Sequence, residues 1–131
     1  MVHKGYLARM YERKILPALN CGLDMVGEVL YGKWKIRLLW FIEQGYQRPS
    51  ELHRKIPDAS KRVLNAQLKE LEEHQLVSKT IYPVVPPKVE YTLTDFGKSL
   101  IPVISNLGKW ADDHERELRE VIAKSINTAK V

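Results

Sequence analysis

Apolar residues recur along this chain at helical spacing, change briefly to alternation, and then return to helical spacing. Leu7, Met10, Tyr11, Ile15 and Leu19 predict an amphipathic helix over 5–19, ended or kinked at Pro17. Asn20-Cys21-Gly22 reads as a break, 23–31 as a second helix, and Gly32 as its punctuation. Residues 33–44 predict a strongly apolar helix carrying Ile36, Leu39, Trp40 and Phe41, with Gly45 as its stop. Ser50 is placed to cap a short helix over 51–55 that Pro57 ends, and Ser60 to cap the next, which runs to Gln75.

The period then drops to two. Val77, Lys79 and Ile81 share one face of a strand, and Val89, Tyr91 and Leu93 share one face of a second. The proline-rich stretch Pro83-Val84-Val85-Pro86-Pro87 joins them, so the pair predicts a β-hairpin. Thr94 can cap a long final helix over 95–125, in which Pro102 is expected to make a kink or local disruption. Two helices joined by a tight turn and followed by a hairpin predict a winged helix-turn-helix. The fold class is therefore mainly α with a small β-hairpin. The chain reads as one domain over 1–131: an N-terminal helix (1–20), a core (21–94) with a recognition helix at 60–75 and a wing at 77–93, and a C-terminal dimerisation helix (95–131).

Composition narrows the function. The chain has 131 residues and a net charge of +5. Residues 33–98 hold most of that excess, twelve Lys/Arg against eight Asp/Glu, which directs the search for an anionic partner to the middle of the chain. One cysteine, Cys21, excludes an intramolecular disulfide. Arg9, Glu12, Arg13 and Lys14 interrupt any signal-peptide core, and the longest apolar run, Leu38 to Ile42, is too short for a membrane span. A cytoplasmic protein with no membrane partner is expected. His3, His53, His74 and His114 are scattered without metal-ligand spacing, and phosphate-loop, Gly-x-Ser-x-Gly and Cys-x-x-Cys motifs are lacking. An enzyme, a metal and a cofactor are not expected. Glu70, Glu72 and Glu73 read as a solvated helix face.

The helix at 60–75 carries the most specific chemistry. Leu64, Leu68 and Leu71 cluster on one side of the wheel, and Arg62, Asn65, Ala66 and Lys69 on the other, with Lys61 near them. Lys and Arg pair with phosphate or guanine, Asn bridges adenine edges, and Ala permits close approach. The helix N-terminus at Ser60 adds backbone donors for phosphate, and Ser50 sits at the start of the preceding helix. Lys79 and Lys88 flank the hairpin tip, as a wing beside a phosphate backbone requires. Double-stranded DNA is the expected partner. A winged-helix module that binds protein is the alternative, with a neutral recognition face as its mark.

In the last helix Leu100, Ile104, Leu107, Ala111, His114, Leu118 and Val121 form a heptad-like stripe. A homodimer is expected on Ile104, Leu107, Trp110, Ala111, Leu118 and Val121, with Leu7 and Tyr11 of the N-terminal helix contributing. Cys21 lies just before a helix start whose backbone donors stabilise a thiolate, so it is a candidate redox sensor; the other reading is a small buried apolar residue. Tyr31, Trp34 and Trp40 are either core or the lining of a pocket for a small-molecule effector.

The chain resembles the HxlR family of bacterial and archaeal winged-helix regulators, relatives of the MarR type. The likeness is carried by Gly32-Lys33-Trp34-Lys35, Leu38-Leu39-Trp40, Ser50-Glu51-Leu52, Ile56-Pro57 and Ser60-Lys61-Arg62-Val63-Leu64. It continues through Gln67 to Glu72, Leu76-Val77, Tyr82-Pro83, Pro86 to Tyr91, Leu93-Thr94 and Gly97 to Leu100. It covers about residues 21–110. The resemblance implies a homodimeric transcription regulator of a prokaryotic cell with its recognition helix at 60–75. It also implies that Cys21 matches a cysteine that some members use to sense oxidants or electrophiles. Gly22 stands where members often carry proline, and residues 1–19 form a longer extension than in many.

Overall fold

The computed structural model describes residues 19–129. Over these it forms six helices and one hairpin: α1 (Gly22–Val29), α2 (Lys35–Glu43), α3 (Pro49–Lys55), α4 (Lys61–Glu73), β1 (Val77–Tyr82), β2 (Lys88–Leu93), α5 (Asp95–Asp113) and α6 (Glu115–Ala129). The strands pair antiparallel, from Val77 opposite Leu93 to Tyr82 opposite Lys88. The N-terminal helix expected over 5–19, with Leu7 and Tyr11, lies outside the described residues.

One apolar core joins all but the ends. Leu38, Leu39 and Ile42 of α2 meet Leu52 and Ile56 from α3 and its turn, Leu64, Leu68 and Leu71 of α4, Leu76 and Val77, Tyr91 and Leu93 of β2, and Ile104 of α5. Each such leucine contributes about 1.5–3 kcal/mol by leaving water. Directional bonds then fix the junctions. Tyr91 N–H donates to the Gln47 carbonyl at 2.8 Å and holds β2 to the loop after α2.

Two helices end in the same way with different residues. Gly45 (φ +103°) terminates α2, with Tyr46 N–H on the Phe41 carbonyl and Gly45 N–H on Ile42, and the Tyr46 and Phe41 rings meet edge to face. Gln75 (φ +61°) does this for α4, with Leu76 N–H on Leu71 and Gln75 N–H on Glu72. A left-handed conformation costs a side-chain-bearing residue about 1–2 kcal/mol. Burial of Leu76 and Leu71 against the core offsets it.

Two sequence expectations need correction. The final helix is two helices. Pro102 lies on the exposed side of α5 and does not interrupt it, whereas the chain breaks at His114 (φ −117°, ψ 21°). There the His114 ring stacks on Trp110 at 5.0 Å and its Nδ1 lies 2.8 Å from the Trp110 carbonyl oxygen. Glu115 and Glu117 stand at the positive end of α6, where the helix dipole favours acids, and so suit a new helix start after His114, although Asp112 and Asp113 at the negative end of α5 oppose a stop there. Ser50 does not cap α3: Arg48 is the N-cap, Pro49 takes the first helical position, and Glu51 Oε1 accepts from Arg48 N–H at 3.1 Å. On α2, Ile36 is 38% exposed, whereas its neighbour Lys35 is buried.

Candidate nucleic-acid interface

The turn from α3 to α4 is held by burial of Leu52, Ile56 and Ala59, and by Ala59 N–H donating to the Ile56 carbonyl at 3.3 Å. Ser60 then caps α4, its Oγ accepting from Val63 N–H at 3.1 Å. The amides of Lys61 and Arg62, at the start of that first turn, have no carbonyl within the helix to bond. The leucine stripe of α4 is fully buried, so its opposite side must face solvent. Lys61, Arg62, Asn65, Ala66 and Lys69 are all exposed there, as the wheel predicts.

Ser50, although not a cap, lies near the same surface. Together with Pro49, His53, Lys61, Leu64 and Asn65 it lines a shallow depression of about 190 Å³ between α3 and α4. A hydroxyl, an ammonium and an amide therefore share one small recess at the start of α4.

The hairpin projects beside this region. On β1 only Val77 is buried, and Lys79 is exposed. Lys88 is more restrained: its Nζ lies 2.9 Å from Glu90 Oε1 and 5.0 Å from the centre of the Tyr82 ring. Val85, at the tip, is fully exposed. Thr94 ties the hairpin to the body. Its N–H donates to the Leu76 carbonyl at 3.1 Å, its hydroxyl donates to the Gln75 carbonyl at 2.7 Å with the Leu76 carbonyl further off at 3.2 Å, and its Oγ1 accepts from Gly97 N–H at 2.9 Å.

The other candidate residues are placed separately. Cys21 is the N-cap of α1 and is exposed. Ile104 of the C-terminal stripe is core, Ala111, His114 and Leu118 are half-buried, and Leu107, Trp110 and Val121 are exposed. Trp40 forms one wall of a groove of about 580 Å³ between α2 and α5, with Ile36, Phe41, Ile104 and Leu107. Trp34 is not in that groove. Its ring lies under Lys33 and Arg37, and Tyr31 is exposed, so the three aromatics do not form one pocket.

A further polar set lies on the inner flank of α4. Lys35 is 1% exposed, and its Nζ lies 3.2 Å from Glu70 Oε2. Trp34 N–H donates to Gln67 Oε1 at 3.0 Å. Glu70 thus departs from the solvated face expected of it. The signal was present in the spacing: Lys35 precedes Leu38, Leu39 and Ile42 by three, four and seven residues, which puts it on the buried face of α2.

Among the described residues no group of His, Cys, Asp or Glu is arranged to hold a metal ion, and no helix is long and apolar enough to cross a membrane.

A helix pair with an exposed polar second helix, followed by a two-stranded wing, defines a winged helix-turn-helix protein. The sequence comparison agrees: residues 29–119 match the model of the HxlR-like helix-turn-helix family. The chain is similar to the HTH-type transcriptional regulator YkvN of Bacillus subtilis, 45% identical over 91 residues that span 70% of this chain and 77% of that one. It is also similar to the redox regulator HypR in its reduced form, with a TM-score of 0.72 and 35% identity over 76% of this chain and 99% of that one. A third likeness is to the reduced transcriptional regulator YodB of B. subtilis, with a TM-score of 0.61 and 32% identity over 72% of this chain and 93% of that one. The chain belongs to the HxlR-like helix-turn-helix family and is a transcriptional regulator of that type.

Proposed function

We propose that the protein acts as a two-fold dimer on an inverted-repeat operator in duplex DNA, with α4 in the major groove. The observation that carries this is the exposure of Arg62, Asn65, Ala66 and Lys69 on the one side of α4 that the buried leucines leave open. In this reading Arg62 and Asn65 reach base edges and Ala66 allows close approach. Lys61, Lys69, Ser50 and the amides at Ser60 meet phosphate. Lys79 and Lys88 bring the wing to the neighbouring backbone.

The dimer is built on the C-terminal stripe. Leu107, Trp110 and Val121 are each half or more exposed in the single chain, an apolar surface that a second copy would cover. Half-sites then lie about one helical turn apart, or a multiple of that. Cys21 serves as a thiol switch, supported by its exposure at the N-terminus of α1 and by likeness to HypR, which is named a redox regulator. A small, partly apolar effector would enter the groove between α2 and α5. The protein works in the cytoplasm of a prokaryotic cell.

The test is to select duplexes from a random pool, sequence them, and titrate the chosen operator. Arg62→Ala is expected to weaken operator binding by about 1–3 kcal/mol and to relax the preference at one position in each half-site. A folded Arg62→Ala/Asn65→Ala variant that binds the operator with unchanged affinity overturns the reading. Binding with no salt dependence would favour the protein-binding alternative.

A further inference from the structure

The contacts of α4 with the rest of the protein are of two kinds. Leu64, Leu68 and Leu71 bury area, but apolar contact has no direction and permits the helix to roll. Gln67 and Glu70 make directional contacts, three residues apart and therefore on one flank of the helix. Both contacts go to the same short segment. Trp34 N–H bonds Gln67, and the Lys35 ammonium pairs with Glu70 from a fully buried position.

That segment is closely fitted to α4. A Cβ on Gly32 would lie 3.1 Å from Gln67 Cδ and 3.2 Å from Lys35 Cδ, and Gly32 holds φ at +155°. Backbone, amide side chain and lysine stem thus meet at one point on the inner side of α4.

We propose that Lys35 is a positioning residue for operator recognition: with Trp34 N–H and Gln67 it fixes the roll of α4 through Glu70, and so sets where Arg62 and Asn65 point. The inference rests on the reading of α4 as the recognition helix. Side-chain tips lie about 5–6 Å from a helix axis, so a roll of about 10° moves them by about 1 Å. The hydrogen-bond distance window is about 0.5 Å wide, so a displacement of that size breaks a bidentate base contact. Phosphate attraction acts at longer range and survives it. The pair therefore governs discrimination between sequences more than attraction to DNA.

A merely stabilising role makes a different forecast. A buried ion pair replaced by apolar residues of similar size often leaves stability intact. The experiment compares the unmodified protein with Lys35→Met, Glu70→Gln and Lys35→Met/Glu70→Leu. It measures affinity for the selected operator, affinity for random duplex, the thermal midpoint, and amide hydrogen exchange across α4 without DNA. In the single variants the operator-to-random ratio is expected to fall about five- to hundredfold, the range for losing one base contact, while random-duplex affinity falls far less. The double variant is expected to recover the thermal midpoint but not the ratio. Exchange across residues 61–69 is expected to quicken in all three. If Lys35→Met does not fold, Glu70→Gln carries the same test. A ratio that stays unchanged, or that recovers together with the thermal midpoint, overturns the proposal. If the unmodified protein selects no sequence, the recognition reading fails separately; unchanged exchange across α4 in Lys35→Met then overturns the positioning role as well.

Discussion

Replacing Gly97 by alanine should strongly destabilise the protein, although Gly97 lies inside a helix. The intrinsic preference runs the other way, since alanine stabilises a helix interior by about 0.5–1 kcal/mol relative to glycine. At Gly97, however, an added Cβ would land on the Leu76 carbonyl oxygen, and would lie 3.0 Å from the Leu76 carbonyl carbon and 3.4 Å from its Cα. The obstacle is backbone, so no side chain can turn aside. Leu76 is itself 1% exposed between α4 and β1, and its carbonyl accepts from Thr94 N–H and Oγ1. Separating α5 from it costs about 1–3 kcal/mol in overpacking. Loosening bonds to a buried acceptor costs about 1–3 kcal/mol more. After the helix gain, the net loss is about 1–5 kcal/mol, centred on about 3 kcal/mol. At about 3–5 °C per kcal/mol for a domain of this size, the midpoint falls by about 10 °C. Thermal unfolding followed by circular dichroism measures it. Gly108→Ala, in the same helix but with no neighbour within 4 Å of the added carbon, is the control and should be neutral or stabilising. A Gly97→Ala protein that melts at or above the unmodified one refutes the argument.

Leu118→Asp should turn the dimer into monomers in sedimentation at micromolar protein, because it buries a carboxylate in the proposed interface; an unmodified protein that is already monomeric there contradicts the dimer. Diamide should weaken operator binding by the unmodified protein and leave Cys21→Ser unaffected; equal responses from both exclude the thiol switch. Burial first, and the nearby Glu72 carboxylate second, raise the Tyr91 phenol above its ordinary value. A raised phenol favours the folded state while it stays neutral, so that stability is complete below about pH 10 and is lost as pH rises through the raised value. Urea midpoints should therefore fall in that alkaline range, and Tyr91→Phe should fall less; identical losses would remove Tyr91 as the cause.

Elements built on one repeated contact were legible in the sequence. Leu64, Leu68 and Leu71 put α4 and its outer face in the right place, and the alternation of Val89, Tyr91 and Leu93 placed β2. Features set by competition between neighbours were not. Ser50 is a better cap than Arg48 by intrinsic preference, but Pro49 fits only the first helical turn and moves the cap two residues earlier. Pro102 is the stronger helix breaker on its own, yet the chain breaks at His114, where the ring reaches the Trp110 carbonyl and Glu115 and Glu117 gain the positive end of a new helix. Gln75 carries no glycine signal for the end of α4, because tertiary burial of Leu76 holds it there. Lys35 was hidden by its charge. Its spacing belongs to the core, and the placement of Glu70 across from it shows how a lysine can be held there.

Charge placement, not charge total, distinguishes α4. Its first nine residues carry Lys61, Arg62 and Lys69 and no acid, and its last four carry Glu70, Glu72 and Glu73, so the helix is neutral overall. Three acids at a helix C-terminus oppose the macrodipole. Two of them have inward duties: Glu70 pairs with Lys35, and Glu72 lies near Tyr91. The bases stay on the exposed side, Lys61 and Arg62 at the positive end of the helix dipole and Lys69 further along, and the acids turn toward the body. The outer surface is thus positive at the end where Ser60 and its free amides stand. If α4 is the recognition helix as proposed, its binding surface depends on internal partners such as Lys35 as well as on the exposed bases. Substitutions inside the domain are then expected to alter which DNA is chosen without touching it.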